Sequence, residues 1–128
     1  MKALLDTHVF LWWNTGAPQL SASARELISG GEVEVYVSAA TSWELAIKTQ
    51  KGHLSLPASP ERYVLERVAY YRFQALPVQI IHACRTFDLP AHHTDPFDRL
   101  LVAQCLVEGM TLVSADERLR AYDVEVIW

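Results

Sequence analysis

The stretch Val33–Gln50, VEVYVSAATSWELAIKTQ, changes its periodicity halfway along. Val33–Val37 sets β-branched and aromatic residues around a single glutamate, the pattern of a strand that ends near Ser38. From Thr41 the spacing lengthens: Trp43, Ala46 and Ile47 fall on one helical face, and Gly52 supplies a stop, which predicts a helix over Thr41–Gln50. A strand that turns into a helix within a few residues is half of a β-α-β unit. The fold depends on whether that unit recurs.

It does. Lys2–Leu5 reads as a first strand, and Ser21–Ser29 as a helix with a Ser23–Glu26 capping box that stops at Gly30-Gly31. Pro60–Phe73 reads as a helix capped by Ser59, with Val64, Leu65 and Val68 inward. An extended piece over Ala75–Val78 and a helix through Phe87 follow. Asp95–Val107 reads as a helix with Pro96 at its first position and Gly109 beyond its end. Thr111–Val113 is a strand, Asp116–Ala121 a short helix and Val124–Ile127 a last strand. This alternation implies a parallel sheet with helices on both faces, in one domain over residues 1–128. In such sheets the functional crevice lies beyond the carboxyl ends of the strands.

Composition narrows the class. The chain is 51% hydrophobic and 20% charged, which describes a globular domain. No apolar run approaches the ~20 residues of a membrane span, and MKALLDTHVFLWW lacks a small-residue cleavage site, so the expected location is the cytoplasm, away from membranes. Cys84 and Cys105 lack metal-ligand spacing and read as reduced, buried thiols. The net charge is −4, from 11 basic and 15 acidic residues, which argues against holding nucleic acid by bulk positive charge. Acidic groups around bound cations would remove that objection.

Several acids fall where the crevice should be. Asp6 ends the first strand, Glu44 lies early in the helix after the second, Asp116 follows Thr111–Val113, and Asp98 sits in the first turn of the helix at Pro96. Four carboxylates aimed at one place repel one another unless something positive lies between them. Oxygen ligands suit Mg²⁺, with Mn²⁺ as substitute, and no Cys/His set has zinc spacing. Each acid also has an ordinary reading. Asp6 could cap a helix starting near His8. Glu44 completes a capping box with Thr41 and pairs with Lys48 at i,i+4. Asp98 gains about 0.3–1 kcal/mol from the helix dipole, and Asp116 could cap DERLRAY. Thr7 and Ser114 are hydroxyls placed to orient carboxylates or water, while Lys48 and Arg99 are cations placed to meet phosphate. His8, His53, His82, His92 and His93 read as surface residues or partners of ligands, ahead of ligands themselves.

Four blocks carry a resemblance: LLDTHVFLWW (Leu4–Trp13), VSAATSWELAIKTQKG (Val37–Gly52), HHTDPFDRLLVAQC (His92–Cys105) and TLVSADERLRAYDVEVIW (Thr111–Trp128). In that order they resemble PIN-domain endoribonucleases, specifically the toxins of VapBC-type toxin–antitoxin pairs. The resemblance implies a three-layer α/β/α sandwich with a central, mainly parallel sheet, and an RNA phosphodiesterase that depends on Mg²⁺. Carried over by position, its acidic residues are Asp6, Glu44, Asp98 and Asp116, as catalytic groups and metal ligands, with Asp95 left as a helix cap. The fourth block has Ser114 where threonine is frequent, which keeps the hydroxyl. The resemblance also implies a homodimer and a cognate antitoxin that blocks the acidic crevice, and the apolar run Val9–Trp13 with Trp128 offers one surface for such contacts.

Two rivals remain. A phosphatase or phosphotransferase could use Asp6 as nucleophile, although DTH lacks a second aspartate two residues on and leaves Glu44 without a role. A non-catalytic acidic binding module on the same fold is the other.

Overall fold

A computed structural model describes all 128 residues. Along the chain run β1 (Lys2–Leu5), α1 (Thr7–Thr15), α2 (Ala22–Ser29), β2 (Glu34–Ser38), α3 (Ala39–Gln50), α4 (Pro60–Tyr71), β3 (Gln74–Leu76), α5 (Ile80–Arg85), α6 (Pro96–Glu108), β4 (Thr111–Val113) and β5 (Val126–Ile127). Two 3₁₀ turns, Thr86–Asp88 and Glu117–Ala121, complete the list. The five strands form one sheet in the order β3-β2-β1-β4-β5, parallel at every pairing. In register, Leu4 lies beside Tyr36 on one side and Leu112 on the other.

Alternation along β1 sorts the core. Ala3 and Leu5 face one layer, where they meet Val9 and Phe10 of α1, Ala24 and Ile28 of α2, Leu45 of α3 and Tyr63 and Val64 of α4. Leu4 faces the other layer, with Leu112, Leu101, Val102 and Cys105 of α6, Leu119 and Tyr122. Successive strand residues point to opposite faces, so a sheet covered on both sides has no polar face to show, and Ala3–Leu5 of β1 and all of β4 are buried. The three-layer α/β/α arrangement is thus present.

Helix starts differ from the sequence reading in two places. Ser38 caps α3, its Oγ accepting from the Ala40 amide at 3.0 Å, so the helix begins early, at Ala39, and no Thr41–Glu44 capping box forms. Ser21 caps α2 through the Ala24 amide at 3.1 Å, so Ser23 lies inside the helix and its box with Glu26 is absent. In both cases an earlier hydroxyl reaches the free amides first. α6 begins as read: Asp95 Oδ1 accepts from the amides of Phe97 at 2.8 Å and Asp98 at 3.1 Å, and Pro96 holds the first position. Gly109 closes α6 at φ 68°, a left-handed conformation that costs glycine little.

Three side-chain placements also change. Leu65 faces solvent at 61% exposure, and Trp43 at 62%. Cys84 is exposed while Cys105 is buried. Trp12, Trp13 and Trp128 are half-buried against the first core layer, with Trp12 and Trp128 rings 5.7 Å apart. No helix is long and apolar enough to cross a membrane.

Candidate active site

The chain leaves β1 toward β2 and β3 on one side of the sheet and returns to place β4 and β5 on the other. Connections therefore diverge at the carboxyl ends of β1 and β4, which opens a crevice there. Asp6 and Ser114 are the first residues beyond those two strands. Ser114 Oγ donates to Asp6 Oδ2 at 2.5 Å across the gap. Asp6 Oδ1 accepts from the Val9 amide at 2.8 Å and so caps α1. The aspartate is both a helix cap and the floor of the crevice. Burial pushes its carboxyl up from the ordinary value, and the charge of Glu44 adds to that, against the lowering effect of Ser114 and Val9.

Glu44 reaches the crevice from α3 and is buried. Thr7 donates to Glu44 Oε1 at 2.6 Å, and Lys48 Nζ lies 2.7 Å from Oε2. Since Thr7 spends its hydrogen on Glu44, the 3.2 Å contact between Thr7 Oγ1 and Thr41 Oγ1 has Thr41 as donor. Thr41 thus supports the acid's hydroxyl partner. The i,i+4 pairing of Glu44 with Lys48 is present, and it engages the same carboxylate that points inward.

Asp98, in the first turn of α6, and Asp116, at the start of the 3₁₀ turn after β4, converge on His93. His93 Nε2 lies 2.8 Å from Asp116 Oδ2 and 3.3 Å from Asp98 Oδ2. The three ligand-capable atoms lie within 4.8 Å of one another. Asp98 is raised to about 7 by burial first, then by the charges of Asp95 and Asp6, with Glu44 adding to them and His93 opposing. Asp116 is lowered to about 2, mainly by its hydrogen bonds with Arg118 and His93. Arg118 Nη2 is 2.9 Å from Asp116 Oδ2. Ser114 links the halves: its Oγ accepts from the Asp116 amide at 3.1 Å and donates to Asp6.

Asp6, Glu44, Asp98 and Asp116 are thus drawn toward one end of the sheet, with Thr7 and Ser114 bonded to two of them. Asp98 and Asp6 both hold protons more tightly than free carboxyls, first because burial disfavours their charged forms and then because neighbouring acids add negative charge. That is the electrostatic signature of a place that gains from a divalent cation, and the donor set is carboxylate and hydroxyl oxygen. Asp6, Asp98 and Asp116 with Glu44 fit Mg²⁺ or Mn²⁺ on that chemistry.

Arg99 is a correction. Its guanidinium donates to the carbonyls of Thr86, Leu89 and Pro90 at 3.0, 3.2 and 2.8 Å and to Tyr122 Oη at 3.1 Å. Adjacent residues on a helix point about 100° apart, so Arg99 turns away from Asp98 and ties the 86–93 segment to α6. Both its Nη groups are committed within the chain. Lys48, paired with Glu44, and Arg118, paired with Asp116, are the cations at the crevice. The sequence alone does not single out His93 or Arg118. The only local trace of either is a histidine two residues before a helix cap and an arginine two residues after an acid.

Comparison with known proteins identifies the family and the fold. The PIN domain family model matches residues 3–125, and the chain belongs to that family. It is 29% identical over 120 residues to Ribonuclease VapC22 of Mycobacterium tuberculosis (strain ATCC 25618 / H37Rv), covering 93% of this chain and 90% of that protein. Its fold is similar to DNA-bound VapBC from Salmonella typhimurium, with a TM-score of 0.71 at 20% identity over 99% of this chain and 97% of that one. It is also similar to VapBC2 from Rickettsia felis bound to a promoter DNA fragment, with a TM-score of 0.70 at 12% identity over 99% and 98%. FitAcB from Neisseria gonorrhoeae gives 0.68 at 21% identity over 98% and 96%.

Proposed function

We propose that this chain is a metal-dependent endoribonuclease that acts as the toxin of a type II toxin–antitoxin pair. One observation carries the reading: carboxylates from separate elements lie toward the carboxyl end of a PIN-family sheet, Asp98 and Asp116 within 4.8 Å of each other and Asp6 and Glu44 near enough for their charges to act on Asp98. The relative named a ribonuclease, matched over nearly the whole chain, supports RNA as the substrate.

Asp6, Glu44, Asp98 and Asp116 would hold one or two Mg²⁺ ions, with Mn²⁺ as substitute. A bound divalent ion lowers the pKa of its water and offsets phosphate charge. The chain's own groups supply the rest. Ser114 fixes the direction of the Asp6 carboxylate, Thr7 and Thr41 fix Glu44, and Lys48 balances the charge that Glu44 brings. The reaction is hydrolysis: a water oxygen attacks the scissile phosphorus, and the bond to the leaving sugar oxygen breaks. The negative charge of the chain is no obstacle, since RNA would meet the crevice through cations.

As partners we propose a cognate antitoxin segment that covers the acidic crevice and a second copy of the chain. Exposed Trp43, Ile80 at 84% and Phe87 at 91% favour such contacts, because exposed apolar groups of this size mark interfaces. The Val9–Trp13 run offers less, because Val9 and Phe10 are buried and Leu11, Trp12 and Trp13 are half-buried against the core. The phosphatase alternative is weaker, because Asp6 has no second aspartate two residues on and that chemistry leaves the buried Glu44 without a role.

The test is cleavage of single-stranded RNA with Mg²⁺ or Mn²⁺, with and without a chelator, by the wild-type chain and Asp6→Asn. Cleavage is expected to vanish with the chelator and in the variant at matched folding. Undiminished cleavage in either arm would overturn the assignment.

A further inference from the structure

The buried imidazole of His93 sits among the acids, and the family position of each acid does not explain it. Every polar atom of the residue is engaged. Its backbone amide donates to Tyr122 Oη at 3.0 Å, its carbonyl accepts from Arg99 Nη1 at 3.4 Å, and its Nδ1 accepts from the Asp95 amide at 3.0 Å. Only 3% of the side chain is exposed.

The Asp95 contact decides the tautomer. A backbone amide has only a hydrogen to offer, so Nδ1 presents its lone pair, and the single ring hydrogen of a neutral imidazole lies on Nε2. Asp95 is itself fixed as the cap of α6, which leaves its amide no freedom to turn away. Nε2–H then points at Asp116 Oδ2, 2.8 Å away, and Asp98 Oδ2 lies 3.3 Å from the same nitrogen. Those atoms, with Nε2, could pass for a nitrogen–oxygen–oxygen ligand set. The tautomer argues otherwise, because the nitrogen a metal would need carries the hydrogen.

We propose that His93 is a positioning residue: its Nε2, hydrogen-bonded to Asp116 and 3.3 Å from Asp98 Oδ2, forms a bridge that holds the two carboxylates side by side as oxygen ligands, without binding the cation itself. This rests on the metal-dependent reading above and names a residue that reading does not need. Without the bridge, two carboxylates this close repel and turn apart. With it, the donor set stays all oxygen, which favours Mg²⁺ and Mn²⁺ over the later transition metals that imidazole would attract.

The experiment is calorimetric titration of the metal-free chain with Mn²⁺, in the wild type, His93→Ala and His93→Gln, with RNA cleavage recorded in parallel. Glutamine can accept from the Asp95 amide through its carbonyl and donate to the acids through its NH₂ group. Loss of an outer partner of a metal ligand typically weakens binding by about 10–100-fold, so His93→Ala is expected to fall in that range and His93→Gln to stay within about threefold of wild type. Unchanged affinity in His93→Ala overturns the proposal, and an equal loss in both variants overturns it in favour of a nitrogen ligand. Should the alanine variant not fold, ¹⁵N spectra of the wild-type imidazole decide: an Nε2–H tautomer is expected, and Nδ1–H is incompatible with the bridge. A wild type that binds no Mn²⁺ and cleaves no RNA overturns the nuclease reading and this one together. A wild type that does both, beside an unaffected His93→Ala, overturns this one alone.

Discussion

Leu4 and Asp6 are two residues apart on one path from strand to helix, and both are buried, at 0% and 4% exposure. Leu4 gains from that burial: an apolar side chain of its size contributes about 1.5–3 kcal/mol when withdrawn from water. Asp6 loses by it, since desolvation disfavours its charged form. The same contrast separates whole regions. Both layers flanking the sheet are mainly aliphatic and aromatic, with His82 and Gln104 the buried polar exceptions on α5 and α6, whereas its carboxyl rim buries Asp6, Thr7, Ser38, Thr41, Glu44, His93 and Ser114. The layers exist because they stabilise the chain. The rim is present in spite of what its burial costs, which is why the proposed function is placed there.

The sharpest way to break this contrast is Asp98→Asn. The change removes a negative charge from the proposed metal site and leaves shape and helix capping intact, because Asp95 carries the cap. A divalent ion supplies several kcal/mol of charge stabilisation, so RNA cleavage is expected to fall about a hundredfold or more. Single-turnover rates at saturating Mg²⁺ check it. The counterpart in the layers is Leu112→Ala. Leu112 is fully buried under α6, and a cavity there is expected to lower stability by about 2–5 kcal/mol in urea unfolding. Cleavage measured well below the unfolding transition should change little.

The same Asp98→Asn chain should be more stable than the wild type in chelator. Asp98 binds its proton at about 7 in the folded chain, against an ordinary value of 3.8. Between those values the folded state holds more protons than the unfolded one, so metal-free stability falls as pH rises through that window and is lowest above it. The asparagine side chain is neutral throughout and escapes the loss. We expect a gain of about 1–2 kcal/mol at pH 8 that disappears near pH 4. Asp116 works the opposite way: lowered to about 2, it adds stability above its ordinary value and loses it as pH falls toward 2. Denaturation at a series of pH values in chelator separates the two. A wild type that gains stability from pH 4 to pH 7 without metal would contradict the rim's electrostatics.

What can be read from the sequence follows the same division. β1, β2, α4 and α6 are legible because periodicity, proline at the first helical position and glycine beyond the last are local features. α1 is legible only at its start, where Asp6 reads as the cap of a helix near His8, since Val9–Trp13 is apolar on every side and carries no helical stripe; the structure runs it as helix from Thr7 to Thr15. At the rim, the residue types are visible but their partners are not. His93 depends on Asp116, 23 residues later, and Thr41 on Thr7, 34 residues earlier. Arg99 misleads by its place beside Asp98, although helical neighbours in sequence face different ways. Long-range pairing decides all three, and hydrophobic pattern holds no record of it.

The mildest probe acts where the rim meets solvent. Lys48 lies 2.7 Å from Glu44 Oε2 and is 39% exposed along its side chain, whereas Glu44 is 7% exposed. An ion pair open to water contributes about 0.2–1 kcal/mol, so Lys48→Met should lower the melting temperature by only a few degrees. If Lys48 served merely as surface charge, nothing else would follow. Glu44, however, would lose its only cationic partner and stand among acids with Thr7 alone. In chelator the variant should therefore show the small stability loss, and added Mn²⁺ should restore more of it than in wild type, because the ion takes over the balancing charge. Equal Mn²⁺ stabilisation of both proteins, read as the shift in melting temperature, would place Glu44 outside the metal's reach and confine the cation site to Asp6, Asp98 and Asp116.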